Sequence, residues 1–166
     1  MRQRTDSFSP TTSAESDHDR VRTIDPTIAT LIRQATERSQ TFQRLVDLIN
    51  ASNGIVYIEK GICGHGVRGC FVNVTMAGSN RMLWVMVDPR GVDCDVMGLI
   101  GHELRHALEV LDDPSVTGFS NMYFLYTREG RNNFRSSPFE TDEAERAGFT
   151  VRAEVRQKGR CISSSR

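Results

Sequence analysis

From residue 25 onward, apolar positions fall into runs whose spacing changes from helical to extended and back. Ile28, Leu31, Ile32, Ala35, Phe42, Leu45, Val46 and Ile49 recur every three or four residues with one break around Ser39. Asp25-Pro26 supplies an N-cap followed by proline at the first helical position. This pattern predicts one long amphipathic helix ending near Asn53-Gly54. Three short segments follow at 54–59 (GIVYIE), 67–75 (VRGCFVNVT) and 81–87 (RMLWVMV), rich in β-branched and aromatic residues and separated by glycine-containing turns. They predict a three-stranded, mostly antiparallel sheet, with the third strand, apolar throughout, covered on both faces. Ile100, Leu104, Ala107, Leu108 and Leu111 then mark a helix from residue 93 or 95 to 111, closed by Asp112-Asp113-Pro114. A shorter helix is expected over 120–127. After a polar loop, Ser137-Pro138 is expected to open a last helix carrying Phe139, Ala144, Ala147, Val151 and Val155.

The expected class is α+β, with one domain over residues 24–158. Residues 1–23 contain almost no large apolar side chains and cannot offset the entropy of ordering, so they read as an N-terminal tail, and 159–166 as a C-terminal one. His18 in that tail reads as a solvated side chain. With 21 basic and 21 acidic residues, the zero net charge argues against a nucleic-acid binder or a polybasic membrane binder. No apolar run approaches the roughly 18 residues that cross a bilayer, and the N-terminus lacks the apolar stretch of a secretory signal.

Four cysteines, Cys63, Cys70, Cys94 and Cys161, are too sparse for a disulfide scaffold, and most read as free thiols in a reducing compartment. That favours the cytoplasm, or a secreted or periplasmic location if a leader has been removed. Cys63 and Cys70 bracket CGHGVRGC and can close a short ring in an oxidising compartment. With His65 they can instead hold part of a structural metal site, although the spacing is not that of common zinc knuckles.

The chemistry concentrates in GHELRHALEVL. His102 and His106 stand four apart in a predicted helix, one turn apart on the same face, so both imidazoles can reach one metal ion. Glu103 adjoins the first histidine, where it can act as general base toward a water acidified by the ion. Arg105 occupies a slot usually filled by an uncharged residue in strict zinc-peptidase patterns, so its charge must point away from the cleft. Gly98 and Gly101 each cost about 1 kcal/mol relative to alanine inside a helix. They are explained either by a closely packed second backbone, such as a strand or a bound peptide, or by tolerance near a helix start. Glu109 lies about 10 Å along the helix axis from His102. It reads mainly as a solvated acid, with a hydrogen bond to His106 as the alternative.

These residues resemble the gluzincin group of zinc metallopeptidases. The resemblance is to its minimal members, in which a helix, a three-stranded sheet, the HExxH helix and a C-terminal helix form the whole catalytic domain. The likeness covers residues 25–158 in element order, while motif-level matches are confined to HELRH and a later acidic helix. It implies a zinc-dependent peptidase acting on a peptide or protein substrate whose strand pairs with the sheet edge. The third metal ligand would be a glutamate in SSPFETDEAERAG, with Glu140 the first choice and Glu143 the alternative. The alanine that usually follows three residues later arrives at Ala144, one position late. Glu140 also fits a capping box with Ser137, and Asp142 is either a support for a ligand imidazole or a surface acid favoured by the helix dipole. In related enzymes a Tyr, His or Arg stabilises the oxyanion. Tyr123 and Tyr126 are the candidates here, with Arg128 behind them, against the alternative that NMYFLY is a packing segment. The competing function is a non-catalytic, zinc-stabilised sensor or protein-interaction module, distinguished by whether an open coordination position faces Glu103.

Overall fold

The computed structural model describes residues 19–64, 66–129 and 140–164, which form an α+β fold. The first helix, α1 (Pro26–Arg38), is capped by Asp25, whose carboxylate accepts from the amides of Thr27 and Ile28. The expected single long helix is two: Ser39 is extended, and its hydroxyl accepts from the Phe42 amide to start α2 (Gln40–Asn50). The break is held from elsewhere in the chain. Ser39 is only 1% exposed and donates its hydroxyl proton to Glu154 at 2.5 Å, while the Thr41 amide and hydroxyl each donate to the same carboxylate at 3.0 Å.

The sheet also departs from expectation. Val21–Arg22, within the segment read as a tail, form β1, and with β2 (Gly54–Lys60), β3 (Gly69–Ala77) and β4 (Asn80–Val87) they make a four-stranded mixed sheet in the order β1-β2-β4-β3. β1 and β2, and β2 and β4, pair in parallel; β3 and β4 pair antiparallel. The reason is a crossover. After β2 the chain passes to the outer edge, and the tight turn at Gly78 (φ 61°) returns it along β4, which becomes central. One face of β4 is buried through Arg81, Leu83, Val85 and Val87, and the other is half-buried, with Trp84 stacked on Tyr57 at 6.0 Å.

Helix α3 (Asp93–Asp112) crosses the buried face, preceded by the short strand β5 (Gly91–Val92). Its C-terminal carbonyls are gathered by one guanidinium. Arg81 donates to the carbonyls of Val110 (3.0 Å), Asp113 (2.8 Å) and Leu111 (2.6 Å), and its Nε donates to Asn53. A cation thus meets the negative end of the helix dipole and its orphan acceptors. Helix α4 (Phe119–Glu129) follows, and then α5 (Asp142–Lys158) packs along α3. The two approach through glycine: a Cβ on Gly98 would lie 2.9 Å from the Gly148 carbonyl, and one on Gly101 would lie 2.8 Å from Val151 Cγ2. The second backbone behind Gly98 and Gly101 is therefore a helix of the same chain.

α5 begins later than expected. Thr141 is its N-cap, accepting from the Ala144 amide at 3.2 Å, so Glu140 precedes the helix and is not the N3 residue of a capping box; Ser137 and Phe139 lie outside the described residues. The C-terminal segment is not a loose tail through Ser164. β6 (Ser163–Ser164) pairs with β5, and Cys161 is disulfide-bonded to Cys94. Cys63 and Cys70 form a second disulfide, the short ring given as an alternative for them, so all four cysteines are paired where most were expected to be free, and the cysteine argument for a reducing compartment falls away. No helix among the described residues is long and apolar enough to cross a membrane.

Removing Arg81 leaves several buried carbonyls without a donor, so Arg81→Ala is expected to cost about 3 kcal/mol or more in urea unfolding. Burial alone would raise the Glu154 carboxyl, but the bonds from Ser39 and Thr41 outweigh it and hold the group below its ordinary 4.5. Glu154→Gln is therefore expected to lose about 1–3 kcal/mol at neutral pH. Because the folded-state value is depressed, the wild-type advantage is complete above the ordinary glutamate range and disappears as pH falls through the folded-state value. Unfolding of both proteins across pH 2–7 measures this.

Candidate metal centre

α3 is buried over most of its circumference and carries His102 and His106 one turn apart on the side facing the start of α5. Their rings meet edge to face at 4.8 Å, with the two Nε2 atoms 3.2 Å apart. Glu140 completes the group, its Oε1 lying 3.3 Å from His102 Nε2 and 3.7 Å from His106 Nε2. Tetrahedral zinc with bonds of about 2.0–2.1 Å separates its donors by roughly 3.3–3.4 Å, so one point near this triangle can lie at bonding distance from all three atoms. The donor set of two imidazoles and one carboxylate fits such an ion.

Its protonation is organised around a positive charge. Burial would lower the His106 imidazole, but hydrogen bonds to Glu109 and Glu140, aided by the charges of Glu103 and Glu109, outweigh it and push the group up to about 9. Burial and the neighbouring His106 lower His102. Burial would raise Glu140, yet His106 and His102 hold it down as a carboxylate. Two ring nitrogens 3.2 Å apart accommodate one proton between them, and a bound cation would take that proton's electrostatic place.

Glu109 is not the solvated acid favoured by the sequence reading. Its Oε2 lies 2.9 Å from His106 Nδ1, and its Oε1 accepts from the Thr141 hydroxyl at 2.7 Å. The Nδ1 proton directed to Glu109 leaves His106 Nε2 as the donor toward the cluster. Thr141 in turn gives its amide to Glu140 Oε1 at 3.2 Å, so one residue ties the imidazole support to the carboxylate. The signal for Glu109 was its i,i+3 spacing from His106; nothing local distinguished Thr141.

Glu103 stands apart from the three convergent donors, 3% exposed, on the wall of a cleft of about 180 Å³ shared with His102, His106, Glu140, Phe71 and Tyr126. Burial pushes its carboxyl up to about 7, with the His106 charge opposing and Glu140 adding to the rise. Tyr126 is buried edge-on to His106 at 5.4 Å, and its hydroxyl donates to the His106 carbonyl at 3.0 Å. A phenol has one proton, so in this arrangement Tyr126 braces α3 and does not present a donor to an oxyanion. Tyr123 is 45% exposed against Phe124 and is not on the cleft wall, while Arg128 pairs with Asp113. Arg105 extends toward Glu109 at 3.8 Å and is also absent from that wall.

Glu143 and Asp142 sit exposed on the first turn of α5, outside the convergent group. His65 and His18 lie outside the described residues, so the Cys63–His65–Cys70 alternative is left with two cysteines bound to each other. Asp93, Cys94 and Cys161 also lie close together, but the Cys94–Cys161 disulfide removes both thiolates. Comparison with protein-family models, with curated proteins and with solved structures found no match.

Proposed function

We propose that this chain is a zinc-dependent peptidase of zincin type, in which His102, His106 and Glu140 hold the ion and Glu103 is the general base. The observation that carries this reading is the meeting of two imidazole nitrogens and one carboxylate oxygen, from two distant parts of the chain, within 3.2–3.7 Å of one another, beside the buried carboxylate of Glu103. A divalent ion held there would supply Lewis-acid polarisation of a carbonyl and acidification of water. Glu103 takes the proton from the attacking water and returns it to the departing amine. Its buried setting keeps competing solvent away from the carboxylate. Glu109 and Thr141 keep the His106 ring and the Glu140 carboxylate in register. An extended substrate strand aligns along β3, the edge strand whose Gly69, Cys70 and Phe71 border the cleft. The two disulfides favour an oxidising compartment as the place of action.

Purified protein is expected to bind one zinc ion per chain by calorimetry and elemental analysis. His102→Ala should abolish binding, and Glu103→Gln should keep the metal while lowering kcat on cleaved peptides by about 10²–10⁴. Full zinc occupancy with no hydrolysis across a diverse peptide library would reject catalysis in favour of a sensor or interaction module. Glu109→Ala should weaken zinc binding by about 10–100-fold in a competitive chelator titration. Unchanged affinity there would show that the imidazole needs no support from that carboxylate.

A further inference from the structure

β3 enters the cleft wall at Gly69, which is buried and pairs with Val87 of β4. A Cβ at this position would lie 2.7 Å from Glu103 Oε1, 2.7 Å from Leu99 Cδ1 and 3.0 Å from Leu99 Cγ. Carbon atoms do not approach neighbours that closely, so even one methyl group requires something to move. Backbone conformation does not account for this glycine: the positive-φ glycines are Gly64, Gly66, Gly78 and Gly91. Space does.

The strand has little freedom to retreat. On one side of Gly69, the Arg68 carbonyl accepts from the Asp88 amide at 2.8 Å; on the other, Cys70 is tied to Cys63. Across the gap, Leu99 and Glu103 are one turn apart on α3, a helix held at its C-terminus by Arg81 and along its flank by α5. The groups facing Gly69 are therefore two side-chain ends, the half-buried Leu99 and the Glu103 carboxylate, which is only 3% exposed.

We infer that Gly69 is a positioning residue for Glu103: the missing side chain creates the slot in which the carboxylate lies beside the metal-ligating triad. Its catalytic consequence rests on the peptidase reading, whereas the contact itself does not. A side chain at residue 69 displaces the base while leaving His102, His106 and Glu140, which meet at the start of α5, in place.

The test is a pair of double-mutant cycles. In zinc-loaded protein, Gly69→Ala should retain zinc stoichiometry and KM within about twofold while kcat falls at least about tenfold, as expected for a small misplacement of a reacting group. In a Glu103→Gln background the same change should cause no further loss. In metal-free protein, Gly69→Ala should lower Tm by about 3 °C or more, and clearly by less when Glu103 is replaced by alanine. Equal Tm losses in both backgrounds, or recovery of activity in Gly69→Ala/Leu99→Ala, would assign the glycine to Leu99 packing and overturn the inference. Should zinc-loaded wild type cleave nothing, the peptidase reading fails, while the unfolding cycle still decides the Gly69–Glu103 contact.

Discussion

The close crossing of α5 over α3 is the constraint on which the candidate centre depends. Imidazoles at 102 and 106 come together through helical geometry alone, but a carboxylate from residue 140 reaches them only because Gly98, Gly101 and Gly148 let two helix backbones pass almost in contact. Each glycine costs helix stability, and the close packing offsets it. A Cβ on Gly148 would also lie 3.1 Å from His102 Cβ, so the same crossing fixes where the His102 side chain can sit. Helix packing and site geometry are here one constraint.

Polar side chains that bridge distant elements hold that crossing in register. Arg81 collects the last carbonyls of α3, Glu154 clasps the junction of α1 and α2, and Glu109 with Thr141 joins the His106 face of α3 to the N-cap of α5. Each links segments far apart in the chain. Apolar packing is tolerant of small shifts, whereas a buried guanidinium or carboxylate has one arrangement that satisfies its partners, and any other leaves an orphan donor or acceptor. Directional contacts of this kind suit a region in which the side chains of His102, His106 and Glu140 converge.

The two disulfides anchor the periphery of the same region. Cys63–Cys70 closes the loop that forms part of the cleft wall, and Cys94–Cys161 ties the C-terminal segment to the first turn of α3 beside the β5–β6 pair. Nothing in the spacing of Cys94 and Cys161, 67 residues apart, signals their union. The crossing of α3 and α5 brings them together, which is why a reading based on cysteine density favoured free thiols.

What the amino-acid order determined by itself was whatever depends on neighbours within a turn or a strand. The Asp25-Pro26 helix start, the period-three-to-four stripes of the helices, the three longer strands and the shared face of His102 and His106 all belong here. The i,i+3 relation of His106 and Glu109 was legible too, although its burial was not. Tertiary structure decided the rest: the parallel pairing of β2 with β4, the break at Ser39, the placement of Glu140 rather than Glu143 beside the two histidines, and the commitment of the Tyr126 hydroxyl to a backbone carbonyl. Those outcomes turn on which distant groups arrive at a given point and on whether water remains there to compete. Local periodicity reports the direction a side chain faces; only the packed chain sets what it meets.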